Sequence, residues 1–191
     1  MTEQQKSVYV VLSRSGTVLS RIIHVITHDR FTHSAIALDV EMEQMFSFGR
    51  RYDRNPFLGC FKREHLTDLH YRRGGAPGAI IELPVTQEQY DEISRHIMIF
   101  RRNAGAFTYN VPGLITSIFH RTFEGQRRFF CSEFVYFVLN EAGVCDFGMT
   151  RGHVRPAMFL EANGSVVYEG ELPLYMPRRE LELPRKSAMG V

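Results

Sequence analysis

The sequence predicts an α+β fold in which a small antiparallel sheet packs against helices. Short segments of alternating apolar and polar residues, separated by turn signals, are typical of half-buried strands. Other segments combine helix-start signals with apolar residues at helical spacing. With 191 residues, 44% of them hydrophobic, the chain is long enough for one full core but short for two. We therefore expect a single domain over residues 1–191, with an irregular tail from about residue 176.

Four segments are predicted to be strands, and a long loop is expected between the third and the fourth. The alternation of apolar and polar residues indicates strands at residues 8–13, 33–39, 45–48 and 79–83. The intervening stretch is polar and rich in arginine, and Asn55-Pro56 and Leu58-Gly59 resemble turns. Glu64, near its middle, follows a Gly-Cys-Phe turn region and could reach back towards the sheet from there.

Four segments are predicted to be helical, at residues 18–28, 86–100, 111–119 and 131–142. Thr86 is a favourable N-cap, and Gln89 stands three residues later as its capping-box partner. Pro112 suits the first turn of the third helix. Gly143 after the last helix is expected to end it in the left-handed conformation.

Cys131 is predicted to begin the last helix, directly after an aromatic run that is typical of a strand. Unpaired backbone N–H groups and the helix dipole at this position stabilise a thiolate over a thiol. The Cys131 sulfur would then be a nucleophile near neutral pH. The alternative is a structural cysteine that packs as a small hydrophobic residue, the commoner fate of a lone cysteine among aromatic residues.

His33 is the candidate base for this nucleophile. In its strand, Ser34, Ile36 and Leu38 alternate with a second face that carries His33 and two alanines. Small neighbours would leave room for another element, such as the start of the Cys131 helix, to approach the imidazole. The alternative is a structural or surface histidine.

Together these segments resemble a known family. Thr32-His33-Ser34-Ala35-Ile36-Ala37, followed by Phe130-Cys131-Ser132-Glu133-Phe134-Val135, resembles the circularly permuted branch of the papain-like NlpC/P60 superfamily. The nearest members would be permuted papain-like amidases and cysteine peptidases of the YiiX/YaeF type, with lecithin retinol acyltransferases as distant cousins. As in that branch, histidine precedes cysteine, here by 131 − 33 = 98 residues. The resemblance extends from about residue 8 to residue 175.

The resemblance implies a papain-like fold and a cysteine–histidine site. Cys131 matches the nucleophile and His33 the base, and a polar residue on the next strand would orient the histidine. Ser47 falls near that position, although its hydroxyl would not stabilise an imidazolium as a carboxylate does. Glu64 is the fallback; the alternative for Glu64 is a solvated carboxylate paired with a neighbouring lysine or arginine.

Two arginines are candidates for substrate binding because they stand close to the motifs. Arg50 and Arg127 belong to two of the five arginine pairs in the chain, and such pairs usually lie on solvated faces. If both flank the cleft, they favour a substrate that bears a carboxylate or phosphate. His24 and His28 have the spacing of a zinc-ligand pair but lack the intervening Glu of a metalloprotease motif, so no metal is expected.

These features predict a thiol hydrolase that cleaves an amide or ester bond of a small-molecule, peptide or lipid-like acyl substrate, without a cofactor. One alternative is an acyltransferase or phospholipase-like enzyme of the lecithin retinol acyltransferase type, and another is a non-catalytic binding protein on the same scaffold. A net charge of +2 gives no reason to expect nucleic acid binding. Oligomeric state is left open.

The N-terminal sequence and the cysteines bear on localisation. Residues 1–6 are polar and the apolar run at 8–12 is too short for a signal peptide or a membrane span, so neither secretion nor a transmembrane segment is expected. Three cysteines without disulfide-like spacing favour a reducing compartment. We therefore expect a cytoplasmic protein in which Cys60 and Cys145 are packing residues.

Overall fold

A six-stranded antiparallel sheet forms the centre of the molecule. The computed structural model describes residues 6–14, 24–25, 28–52, 55–67, 75–109 and 128–177, with only the backbone of 50–52, 55–59 and 109. The strands are β1 (Lys6–Ser13), β2 (His33–Ala37), β3 (Met45–Tyr52), β4 (Asn55–Glu64), β5 (Pro77–Val85), β6 (Thr108–Tyr109), β7 (Arg128–Phe129) and β8 (Ser165–Glu171). The order across the sheet is β4-β3-β2-β1-β5-β8, and β6 pairs with β7 in parallel as a separate ribbon.

Two α-helices that the structure describes from end to end accompany the sheet, α1 (Gln87–Arg102) and α2 (Cys131–Glu141). Thr86 caps α1 as predicted: its Oγ1 accepts the Gln89 N–H at 3.2 Å, and Gln89 Oε1 accepts the Thr86 N–H at 3.0 Å. Gly143 ends α2 with φ of +65°, a conformation that glycine adopts without strain. These elements confirm the α+β class and the helix-on-sheet arrangement.

The two faces of the sheet carry separate apolar clusters. One face packs against α1 and α2, and its strand residues include Val10, Ile36 and Phe48. The opposite face carries a smaller cluster that includes Val11, Ala35 and Met45. Since neighbouring residues of a strand point to opposite faces, this division follows the alternation in the sequence. No helix among the described residues is long and apolar enough to cross a membrane.

The structure corrects the predicted loop between the third and fourth strands. Residues 55–64 form β4, which pairs with β3 at one edge of the sheet. An edge strand tolerates proline because one side of it has no strand to bond, so Pro56 is compatible with β4 despite resembling a turn. β8 was likewise absent from the prediction. Of the predicted helix at 18–28, residues 24–25 are helical and His28 has φ of +54°. The predicted helix at 111–119 and the tail beyond 177 lie outside the described residues.

Candidate active site

Cys131 is the first residue of α2, and its sulfur is buried against the sheet. Phe130 precedes it in an extended conformation, so the chain turns into the helix at the cysteine itself. The thiol accepts hydrogen bonds from the backbone N–H groups of Ser34 and Ser132. Ser34 belongs to β2, whose first residue is His33. The start of α2 therefore lies against the start of the strand that carries the histidine.

His33 lies between the thiol and a carboxylate. Its Nε2 is 3.1 Å from Oε2 of Glu64, and its side chain also hydrogen-bonds to Cys131. The structure thus brings together Cys131 and His33, and adds Glu64 as the group that bonds to the imidazole and orients it.

Glu64 reaches the histidine from the end of β4. It lies opposite Met45 of β3, two strands away from His33, and its side chain is only 1% exposed. Its second carboxylate oxygen, Oε1, is 3.0 Å from Nζ of Lys62. The expected pairing with a neighbouring lysine is therefore present, but the carboxylate is buried instead of solvated and also bonds to His33.

Ser47 does not take the orienting role expected for it. It lies on β3 opposite Lys62, so it is on the sheet face that carries Lys62 and Glu64. However, its buried Oγ has no hydrogen-bond partner in the described part of the chain. The imidazole is bonded to Glu64 instead.

The two central groups shift each other's pKa in opposite directions. Burial alone would lower the pKa of His33, but the Glu64 charge and the bond to Cys131 outweigh it and raise the pKa from 6.5 to about 10. Burial would raise the pKa of Cys131, but the hydrogen bond and charge of His33 and two backbone N–H groups bring it below the ordinary 9.0. Both shifts favour the thiolate–imidazolium ion pair over the neutral pair.

Cys145 provides an internal contrast to Cys131. Cys145 is also buried, and this burial together with the nearby charge of Asp146 raises its pKa to about 11. Its thiol is therefore protonated and unreactive near neutral pH. Both cysteines are buried, so the lowered pKa of Cys131 comes from its partners, His33 and the backbone N–H groups, and not from burial.

The small neighbours of His33 do not provide the room that the sequence predicted for the helix. Ala35 and Ala37 do share a face, but they pack in the cluster on the side of the sheet away from α2. The helix packs on the face that carries Ile36, and it meets His33 at the end of β2. His33 is thus reachable because it is the first residue of its strand, not because its neighbours are small.

The residues that follow Cys131 have structural roles that sequence reasoning did not assign. Ser132 Oγ donates to the backbone carbonyl of Val154, and Oε2 of the fully buried Glu133 accepts the Phe130 N–H at 2.9 Å. Both bonds hold the first turn of α2 in place. A glutamate at the third helical position is a known capping signal, and it could have been recognised in the sequence.

A second link ties the cysteine helix to the segment before His33. Next to Val154, which accepts the Ser132 hydroxyl, Arg155 places Nη1 3.1 Å from both carboxylate oxygens of Asp29. Asp29 is four residues before His33, and its side chain is 14% exposed. The ion pair therefore helps to set the separation between the two elements that carry the thiol and the imidazole.

The remaining predicted residues contribute less to the described site. Arg50 lies on β3 opposite Gly59, but its side chain is outside the described part, as is the whole of Arg127. His24 bonds through Nδ1 to the Asp29 carbonyl at 2.7 Å and lies 3.4 Å through Nε2 from Arg14. Across the described ranges, no three histidine, cysteine or acidic side chains are grouped to hold a metal ion.

Comparisons of the chain with family models, with curated proteins and with solved structures found no match.

Proposed function

We propose that this protein is a thiol hydrolase that cleaves an amide or ester bond through a thioester on Cys131. One observation carries the proposal: a thiol at a helix N-terminus is hydrogen-bonded to a histidine that is itself bonded to a buried glutamate. A nucleophile, a base and a group that orients the base are the components of cysteine-dependent acyl transfer. The lowered pKa of Cys131 supplies the thiolate that the reaction requires.

In the first step, the Cys131 thiolate attacks the substrate carbonyl carbon and forms a C–S bond. The backbone N–H of Cys131, in the first turn of α2 where helix N–H groups lack an intrahelical acceptor, donates to the developing oxyanion. His33 gives its proton to the leaving nitrogen or oxygen as that bond to the carbonyl carbon breaks. Glu64 stabilises the imidazolium before transfer and holds its orientation afterwards.

In the second step, water attacks the thioester while neutral His33 takes a proton from it. The C–S bond breaks, the carboxylic acid leaves, and the thiolate and imidazolium are restored. An acyltransferase would use the same acyl-enzyme with an alcohol or amine in place of water. Adding acceptors to the assay and measuring which product forms therefore distinguishes hydrolysis from transfer.

The arrangement also supports membership of the permuted NlpC/P60 branch, which we propose as the family. The histidine strand precedes the cysteine helix in the chain, and the helix packs on an antiparallel sheet. A cytoplasmic location and the papain-like fold belong to the same proposal. The papain-like fold rests on the sequence resemblance together with this chain order, and the location rests on the three cysteines without disulfide-like spacing.

The proposal is tested by trapping the acyl-enzyme. The protein is incubated with activated esters and anilides of short and long acyl chains, and the intact mass and the modified peptide are measured. We expect one acyl group on Cys131, released by hydroxylamine, and none in Cys131→Ala. Cys145→Ser is the matched control and should acylate like the parent. If Cys131 is not acylated, or if His33→Ala is acylated as fast as the parent, a catalytic role is refuted and a binding protein is favoured.

A further inference from the structure

The carboxylate of Glu64 is shared between two cations, and only one of them belongs to the proposed reaction. Oε2 is 3.1 Å from His33 Nε2 and Oε1 is 3.0 Å from Lys62 Nζ. The Glu64 side chain is 1% exposed, whereas that of Lys62 is 30% exposed. The lysine thus connects a buried carboxylate to the protein surface without being part of the thiol–imidazole pair.

The space that the lysine occupies depends on a glycine. A Cβ atom placed on Gly49 would lie 2.6 Å from Lys62 Cε and 3.2 Å from Glu64 Oε1. Lys62 and Glu64 lie opposite Ser47 and Met45, so both project from the same sheet face and converge beside Gly49. Small residues at positions 47 and 49 leave this path open between β4 and His33.

A constant countercharge has a specific use in a histidine-dependent reaction. Once His33 has given its proton to a leaving group, it is neutral, and the buried carboxylate of Glu64 loses the opposite charge beside Oε2. Such a carboxylate has a raised pKa and tends to take a proton, which would remove the charge that restores the imidazolium. The ion pair between Lys62 and Oε1 of Glu64 does not involve the histidine, and it opposes this uptake of a proton.

We propose that Lys62 is a positioning residue that keeps Glu64 ionised and directed at His33 throughout the reaction. This inference rests on the proposed function. Loss of Lys62 should let Glu64 take up a proton at higher pH, which weakens the thiolate–imidazolium pair under mildly acidic conditions. An opposite charge at this distance typically changes a carboxylate pKa by about 1–3, and partial exposure of the lysine places the expected change at the lower end.

The test is the pH dependence of Cys131 alkylation by iodoacetamide, with Cys60 and Cys145 replaced by serine. For Lys62→Met we expect a rate about tenfold below the parent near pH 5 and an unchanged rate near pH 8. Lys62→Arg should restore the parent profile because it retains the charge. Arg63→Met is the matched control: Arg63 is the adjacent basic residue, but it donates to the Glu43 carbonyl and not to Glu64.

Two further variants separate positioning from a general loss of structure. Lys62→Met should have no additional effect once Glu64→Gln is present, because the lysine acts only through the carboxylate. Gly49→Ala should reproduce part of the acidic defect by displacing the lysine. Urea unfolding of each variant checks that the fold is retained.

The outcomes distinguish this inference from the proposed function. A reactive, His33-dependent Cys131 whose profile is the same in Lys62→Met and the parent overturns the role of Lys62 and leaves the thiol hydrolase proposal standing. A parent Cys131 that alkylates as slowly as an ordinary thiol overturns the proposed function and this inference with it.

Discussion

Replacing Glu64 by glutamine removes the charge that faces His33 while it keeps the length and shape of the side chain. The pKa of His33 is raised from 6.5 to about 10, and the Glu64 charge is the largest contribution that raises it. An opposite charge at hydrogen-bond distance typically changes a pKa by about 1–3, which corresponds to about 1.4–4 kcal/mol. We therefore expect the pKa of His33 to fall by about that much in Glu64→Gln, and the pKa of Cys131 to rise through their coupling.

The assay is alkylation of Cys131 by iodoacetamide between pH 4 and pH 10, with the other two cysteines replaced by serine. Near pH 6 the rate in Glu64→Gln should fall by about tenfold or more, because less of the sulfur is thiolate. Near pH 10, where the thiolate forms without the ion pair, the variant should approach the parent. In Glu64→Gln, the pH range over which the alkylation rate rises should thus move to higher pH.

Ser47→Ala is the matched control, because it tests the residue that the sequence favoured for the same role. Ser47 is fully buried and its Oγ has no partner among the described residues, so its removal breaks no hydrogen bond seen there. We expect its alkylation profile to match the parent within about twofold. A parent-like profile in Glu64→Gln, together with a shifted one in Ser47→Ala, would refute the assignment of Glu64 as the orienting group.

Three other predictions concern stability and the geometry around the site. Because the pKa of His33 is raised on folding, the stability that His33 contributes is complete below pH 6.5 and is lost as the pH approaches about 10. The difference in urea unfolding free energy between the parent and His33→Gln should therefore shrink over that pH range. A constant difference would contradict this prediction. Gly143→Ala should lower the free energy of urea unfolding by about 1–2 kcal/mol, because φ of Gly143 is +65°. Gly105→Ala should not, although a Cβ at either position would have no atom within 4 Å. Equal costs would show that the left-handed backbone is not the cause. Arg155→Met breaks the ion pair with Asp29, so it should slow Cys131 alkylation severalfold at pH 6 and destabilise the fold by about 1 kcal/mol. A loss of stability without a change in the alkylation rate would limit the ion pair to a structural role.

The features that sequence reasoning identified correctly depend on a few adjacent residues. The cap at Thr86, the start of α2 at Cys131 and its end at Gly143 each follow from side chains within one or two turns of the helix terminus. The alternation around His33 likewise predicted which neighbours share its face. Such signals are visible in the sequence because the groups that interact are close along the chain.

The missed strand shows where local signals fail. Pro56 and Gly59 have the composition of a turn, and only their place on an edge strand makes them compatible with a sheet. Whether a strand is central or at an edge depends on the order of all six strands. A local pattern does not contain that order.

The sequence by itself determined that Cys131 begins a helix and that His33 lies on a strand, because helix ends and strand alternation are local properties. Only the tertiary structure decided that Glu64, and not Ser47, orients the histidine. Glu64 reaches His33 across an intervening strand, so the contact depends on the register of β4 against β3 and on how far each side chain extends. A shift of one residue in that register would turn Glu64 to the opposite face, where it would face the apolar cluster beneath the helices.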